Sequence, residues 1–200
     1  MTDVDDAVAA IRGGELAIVP TDTVYGLAAT PYSEAPVRLL YRAKRRGGQQ
    51  PTALVASDLE VLFECVPELR GKAERIAETL LPGPYTLILP NPACRFPWLV
   101  GTRPDAIGVR VPRLDGVGRE VLMRVGALVA TSANLPGGRD PRTLADVPEE
   151  LRAAAAALVD GGELPGTPST VIDFTEAEPR VLREGAVPAG EALRAVASVL

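Results

Sequence analysis

Segments with the two-residue period of a strand alternate with segments of helical period along this chain, and this alternation constrains the fold most. Short apolar runs between turn residues predict strands at 16–19, 52–56, 85–89, 107–111, 128–131, 170–173 and 180–182. Helical spacing and capping signals predict helices at 4–12, from Ser33, from Ser57, at 72–80, around 119–125, from Asp146 to about 158, and at 191–199. Strands alternating with helices over the whole length imply an α/β or α+β domain built on a mostly buried sheet.

Three local details of this prediction concern helix starts and loops. Ser57 to Glu60 has the pattern of a capping box. Asp146 with Glu149 is expected to cap an alanine-rich helix. The segment 91–104 is expected to be a long exposed loop.

The length and termini bound the organisation of the protein. A chain of 200 residues suits one domain, or at most two small ones, and we treat 1–200 as a single domain. Residues 1–6 are acidic and lack the basic start and apolar run of a secretion signal. No stretch reaches the roughly 18 to 20 apolar residues needed to span a bilayer. With only two cysteines and no metal-ligand spacing, we expect a cytoplasmic protein with free thiols and no membrane contact.

The charged residues exclude several mechanisms. The chain has no histidine, so a Ser-His-Asp triad, a Cys-His dyad, a His-ligated zinc and a histidine base are all excluded. Of 21 basic residues only Lys44 and Lys72 are lysines, and the rest are arginines, which bind carboxylates and phosphates bidentately. A net charge of −5 argues against a broad nucleic-acid surface, although a local basic groove is left open.

The first candidate binding loop is the segment 20–27, directly after the first predicted strand. It carries hydroxyls at Thr21 and Thr23 and a carboxylate at Asp22. Ligands of open α/β sheets bind beyond the carboxyl ends of strands, which favours a binding role. The alternative is a capped turn in which Asp22 bonds to its own backbone.

The second candidate is a group of four cations within five residues at the end of the second predicted helix. It comprises Arg42, Lys44, Arg45 and Arg46. If the chain is extended here, Lys44 and Arg46 grip one polyphosphate while Arg45 points elsewhere. The alternative is a solvated basic helix end. No G-x-x-x-x-G-K-[ST] pattern occurs, so a P-loop ATPase is excluded.

Two further segments place hydroxyl side chains beside predicted strands. In 130–138, Ser132 and Asn134 are two residues apart and face the same way if the chain is extended. The alternative there is an Asx turn that leads into a glycine-rich loop. The segment 168–173 also places hydroxyls next to a strand.

These segments together form a series of boxes: PTDTVYGL at 20–27, K-x-R at 44–46, LPGPYTL at 81–87, IGVRVP at 107–112, S-x-N at 132–134, PSTVID at 168–173 and LREGA at 182–186. In this order they resemble the YrdC/TsaC family of threonylcarbamoyl-AMP synthases over nearly the whole chain. The resemblance implies a twisted, open mixed sheet flanked by helices, with a concave basic cavity. We expect the short form of the family, with no appended C-terminal domain.

The resemblance also implies an activity. The expected enzyme converts ATP, L-threonine and bicarbonate to threonylcarbamoyl-adenylate and pyrophosphate, with Mg²⁺ accompanying ATP. The adenylate supplies the threonylcarbamoyl group for adenosine next to the anticodon of tRNAs that read codons beginning with A. Other tRNA-modification proteins are therefore expected partners, and a weak contact with RNA is left open.

Site residues carry over position by position from the resemblance. It implies nucleotide binding by Lys44, Arg46, Gln50, Ser132, Asn134 and Arg183. It implies threonine binding by Thr23, Arg110 and Ser169, with Arg110 suited to the α-carboxylate. We assign catalysis to Lys44 and Arg46, since phosphoryl transfer of this kind depends on positioning and charge neutralisation. No residue is assigned to a metal.

The chain departs from the family pattern in the region 47–56. Gln50 stands where the family usually has asparagine, and Ala56 where it has a histidine on the threonine side. Two alternatives are therefore kept. One is a module of the same fold that binds nucleotide or RNA without threonine-specific catalysis, and the other is a relative that adenylates a different carbamate.

Overall fold

The computed structural model describes residues 3–47 and 49–200. Within that part of the chain, nine strands form one mixed sheet: β1 (Ala17–Pro20), β2 (Tyr25–Ala29), β3 (Ala53–Ala56), β4 (Tyr85–Pro90), β5 (Ala106–Arg110), β6 (Ala127–Ser132), β7 (Ala157–Leu158), β8 (Thr170–Asp173) and β9 (Arg180–Arg183). They lie in the order β7-β1-β2-β6-β3-β5-β4-β8-β9. The pairs β1/β7, β3/β5 and β4/β8 are parallel, and the other neighbours are antiparallel.

Helices cover the two faces of this sheet unequally. In the described residues they are α1 (Asp3–Arg12), α2 (Glu34–Ala43), α3 (Leu59–Cys65), α4 (Lys72–Leu80), α5 (Gly116–Val125), α6 (Glu149–Ala154) and α7 (Ala189–Val196). Helices α2, α3, α4 and α7 contact one face, and α1 and α5 contact the β1 and β6 half of the other. The predicted α/β fold with helices flanking a mixed sheet is therefore confirmed. None of the helices in the described ranges is long and apolar enough to cross a bilayer.

Side chains alternate between the two faces along each strand, and this alternation creates the cavity. The even positions of β3 (Leu54 and Ala56) and the odd positions of β4 and β5 (Leu87 and Val109, for example) lie in the larger core under α2, α3, α4 and α7. The residues between them point to the other face. Since α1 and α5 cover only part of that face, the surface above β3, β4, β5 and β8 stays open.

The sequence pattern does not predict the strand β2. Its residues, YGLAA, are buried at every position, and the first three of them lie in the candidate binding loop 20–27. A strand that is buried on both faces lacks the polar alternation that marks a half-exposed strand, so its pattern gives little local signal.

The predicted helix from Asp146 to about 158 is confirmed only in its middle part, since α6 covers Glu149–Ala154 and its N-cap is Pro148, not Asp146. A short 3₁₀ helix (Leu144–Asp146) comes first, with Thr143 as its N-cap, and α6 ends at Ala154. Two residues further on, Ala157–Leu158 form β7, which pairs in parallel with β1. Helix propensity in this alanine-rich run is overridden by strand pairing.

Two smaller expectations also need correction. The N-cap of α3 is Asp58, whose side chain accepts from the Val61 N–H, and Ser57 donates its hydroxyl to Asp58. The loop 91–104 is not fully exposed, because Leu99 and Asn91 are both completely buried. Asn91 bonds to Arg95 and Pro104 and so holds the two ends of the loop together.

Candidate active site

The open part of the sheet is the floor of a cavity of about 260 Å³. Small residues form this floor, with Gly26, Ala53, Gly108 and Ala130 all lining it. A Cβ at Gly26 would lie 3.4 Å from Thr21 Cγ2 and 3.7 Å from Ala130 Cβ, so the loop before β2 packs closely on the sheet here.

The loop 21–24 is a rigid turn that forms one wall. Thr21 Oγ1 accepts from the N–H groups of Thr23 and Val24, at 3.2 Å in each case, and donates to the Val24 carbonyl at 2.7 Å. Thr23 is completely buried and lines the cavity. The turn is thus capped by Thr21 rather than by Asp22, which corrects the capped-turn alternative.

Asp22 instead reaches across the cavity wall to Arg110 at the end of β5. Arg110 Nη2 donates to Asp22 Oδ1 at 2.7 Å, and the two side chains are only 14% and 7% exposed. Asp22 Oδ2 accepts from the Arg113 N–H at 3.2 Å. Burial raises the pKa of Asp22 above its ordinary value, against the lowering effects of the Arg110 charge and the Arg113 N–H.

The guanidinium of Arg110 has unused hydrogen-bonding capacity. Its Nε is buried and has no hydrogen-bond partner among the described residues, while the residue itself lines the cavity. The side chain is 14% exposed, so a permanent cation borders the cavity, and a planar guanidinium binds carboxylates well. Arg110 is therefore suited to hold a carboxylate, as the resemblance implies.

The K-x-R triplet is not extended, which corrects the expectation. Lys44 is helical and Arg45 has φ 51°, while the Arg46 N–H bonds to the Tyr41 carbonyl and the Arg45 N–H to that of Arg42. This is a Schellman motif with arginine in place of the usual glycine. It turns Arg45 outward, where it pairs with Glu150, so the prediction that Arg45 points elsewhere is confirmed.

Lys44 ties the triplet to the S-x-N segment. It is 5% exposed, and its Nζ donates to the Ser132 carbonyl at 2.6 Å, to Asn134 Oδ1 at 2.8 Å and to the Asn134 carbonyl. These bonds use all three N–H donors of the ammonium. The pKa of Lys44 is lowered to about 8, mainly by burial and then by the charge of Arg46, while the charge of Asp140 opposes both effects. Lys44 therefore holds Ser132 and Asn134 in position through these hydrogen bonds.

Arg46 is the residue of the triplet that faces the cavity. Its Nε donates to Gln50 Oε1 at 2.6 Å, its Nη2 to the Pro51 carbonyl at 2.8 Å and its Nη1 to Thr131 Oγ1 at 3.4 Å. Gln50 is exposed and outside the cavity lining. Its contact in this structure is with Arg46, which it holds against the cavity wall.

The opposite wall joins Ser169 to Arg183. Arg183 donates from Nε and Nη2 to the Ser169 carbonyl, at 3.0 and 2.8 Å, and from Nη2 to Ser169 Oγ at 3.1 Å. Ser169 Oγ also lies 2.8 Å from Thr86 Oγ1. A residue predicted for threonine and one predicted for the nucleotide are thus in direct contact.

Sequence reasoning missed two polar residues, Thr86 and Asp140. Thr86 lies in the LPGPYTL box and lines the cavity, and its two neighbours in the chain face the core. Side chains alternate between the two faces of a strand, so a residue between two core residues points to the opposite face. This alternation is the signal in the sequence that could have found Thr86. Asp140 accepts from Asn134 Nδ2 at 3.3 Å, and its charge acts on both Lys44 and Arg183.

The nine predicted site residues fall into two groups. Those that line the cavity are Thr23, Arg46, Arg110, Ser132, Ser169 and Arg183. Those just outside its lining, bonded to the lining residues, are Lys44, Gln50 and Asn134. Ala56 is completely buried in the larger core on the other face of the sheet, so this position does not face the cavity.

Comparison with known proteins shows the family to which the chain belongs. A family model for Sua5, YciO and YrdC proteins, described as telomere recombination, matches residues 9–185. The chain belongs to this family. The threonylcarbamoyl-AMP synthase of Pyrococcus abyssi is 33% identical over 190 residues, which are 94% of this chain and 56% of that protein. A putative threonylcarbamoyl-AMP synthase of Mycobacterium leprae is 32% identical over 90% of this chain and 82% of its own length.

A solved structure of a Sua5/YciO/YrdC protein supports the fold. The crystal structure of P. abyssi Sua5 complexed with L-threonine superposes with a TM-score of 0.87 at 32% identity, over 98% of this chain and 58% of that one. This chain therefore spans little more than half the length of its P. abyssi relative, and the YrdC/TsaC resemblance of the sequence is confirmed.

Proposed function

We propose that this chain is a threonylcarbamoyl-AMP synthase, which uses ATP, L-threonine and bicarbonate. One observation carries the proposal: Arg110 lines the same cavity as Arg46 and Arg183. The cavity thus offers a carboxylate anchor and two phosphate anchors within one space. The names of the relatives at 32–33% identity support the same activity.

The substrates are placed by charge. The α-carboxylate of threonine binds Arg110, beside the wall formed by Thr23 and the hydroxyl of Ser169. The phosphates of ATP lie toward Arg46 and Arg183, on the side of the S-x-N segment. Lys44 fixes that segment through its bonds to Ser132 and Asn134.

The reaction needs no imidazole base. The amine of threonine takes up bicarbonate to give a carbamate, and a carbamate oxygen attacks the α-phosphate as the bond to pyrophosphate breaks. The protein contributes positioning and neutralises the charge on the phosphates with arginines.

Magnesium enters with ATP in this proposal. The residues that line the described cavity include no carboxylate, and no group of three His, Cys, Asp or Glu in the described residues is placed to hold a metal. Mg²⁺ retains several waters and is commonly held through phosphate oxygens, so this wall fits a metal carried by the nucleotide. It would supply charge neutralisation on the phosphates.

The proposal is tested by pyrophosphate release from ATP. We expect release that requires both L-threonine and bicarbonate, and an Arg110→Gln variant whose KM for threonine rises while its KM for ATP stays within about twofold. Release that is independent of threonine would contradict the proposal. Faster release with another amino acid would instead favour a relative that adenylates a different carbamate.

Contacts with tRNA-modification proteins and RNA, and a cytoplasmic location, remain predictions.

A further inference from the structure

Two hydroxyls meet in the cavity, and one of them, that of Thr86, has no role in the assignments above. Thr86 Oγ1 and Ser169 Oγ are 2.8 Å apart, and both residues line the cavity. Arg183 Nη2 donates to the same Ser169 oxygen at 3.1 Å. A guanidinium therefore borders a pair of neutral hydroxyls.

The hydroxyl pair has one donor to spare. Two hydroxyls carry two protons, and one proton is used in the bond between Thr86 and Ser169. The described contacts give neither hydroxyl a second acceptor, because the remaining bond to Ser169 Oγ comes from the Arg183 donor. One O–H group is therefore left without an acceptor in the described contacts, beside a cation in the lining of the cavity, and this is a donor set for an oxyanion.

The position of the pair is set by the sheet. Leu87 pairs with Val109 in the antiparallel β4/β5 ladder, so the next residues, Thr86 and Arg110, lie opposite each other on the cavity face. Arg183 borders the pair on its other side through Ser169. The hydroxyls therefore lie between the arginine proposed for the amino-acid carboxylate and an arginine proposed for the nucleotide.

We propose that Thr86, Ser169 and Arg183 form the subsite for the one-carbon oxyanion, which is bicarbonate on entry and the carbamate after reaction. This inference rests on the proposed function. The threonine ammonium and bicarbonate condense to the carbamate, one water and one proton, which leaves to solvent. The spare O–H donates to one carbamate oxygen, Arg183 neutralises its charge, and the other oxygen attacks the α-phosphate.

The test compares the three substrate constants of Thr86→Val and Thr86→Ser in degassed buffer with added bicarbonate. Valine keeps the branched shape but removes the hydroxyl. We expect Thr86→Val to raise the bicarbonate KM about tenfold or more, with the threonine and ATP KM values within about twofold. Thr86→Ser restores most of the loss. Thr79→Val, which removes an exposed hydroxyl on α4, is the matched control and leaves all three constants unchanged.

The outcomes separate a failure of the proposed subsite from a failure of the proposed function. An unchanged bicarbonate KM in Thr86→Val, with a melting temperature like that of the wild type, would overturn the subsite alone. A threonine KM that rises as much as the bicarbonate KM would also overturn it, since the pair would then serve the amino acid. Wild-type protein that releases no pyrophosphate in response to threonine and bicarbonate would overturn the proposed function and this subsite with it.

Discussion

Replacing Asp22 with asparagine isolates the buried charge that orients Arg110. The two side chains are 7% and 14% exposed and lie 2.7 Å apart. Removing one partner of a buried ion pair costs about 3–5 kcal/mol, because the other charge stays buried without compensation. Asparagine keeps an oxygen acceptor for Arg110 Nη2, so we expect Asp22→Asn to lower the free energy of unfolding by about 2–3 kcal/mol.

The assay is urea unfolding followed by the fluorescence of Trp98, the single tryptophan. The double variant Asp22→Asn with Arg110→Gln removes both charges, and we expect it to be at least about 1 kcal/mol more stable than Asp22→Asn alone. The KM for threonine should rise in Asp22→Asn while that for ATP does not. The reasoning is refuted if Asp22→Asn costs less than about 0.5 kcal/mol, or if the double variant is less stable than the single one.

Three further predictions concern Lys44, Arg45 and Tyr25. The pKa of Lys44 is lowered to about 8, mainly by burial, so the ammonium makes its three donor bonds below that pH and loses one of them above it. The KM for ATP should therefore rise as the pH passes 8. The Lys44→Arg variant, whose side chain stays charged, should not show this pH dependence. Arg45 has φ 51°, so Arg45→Gly should be about 1 kcal/mol more stable in urea unfolding than Arg45→Ala, with the ATP KM unchanged in both. Tyr25→Phe removes a hydroxyl that donates to the Gly162 carbonyl at 2.8 Å and accepts from the Gly161 N–H at 2.9 Å. The free energy of unfolding, measured by urea unfolding, should fall by about 1–3 kcal/mol.

The elements that the sequence predicts well are those whose signal is local. The helices α1, α2 and α4 have an apolar face and clear ends, and the strands β4, β5 and β6 are runs of Leu, Ile and Val between turn residues. The strands β2 and β7 were missed, since small residues such as Gly26 and Ala157 give no local preference for a strand. Their conformation comes from pairing with β1.

In the candidate site too, the sequence predicts only the features that have a local signal. Hydroxyls and cations at strand ends mark Thr23, Ser132 and Ser169 as candidates in the sequence itself. Contacts between distant segments leave no local trace. Asp22 meets Arg110 across 88 positions and Thr86 meets Ser169 across 83, so neither pair could be found before the sheet order was known.

The central claim is that one cavity joins an amino-acid anchor to a nucleotide anchor. It is tested most directly by mass spectrometry of the product made from ATP, L-threonine and ¹³C-bicarbonate. The account predicts a nucleotide that contains AMP, one threonine and one ¹³C atom, formed in step with pyrophosphate and much reduced in Arg110→Gln. Pyrophosphate release with no ¹³C in any nucleotide would contradict it.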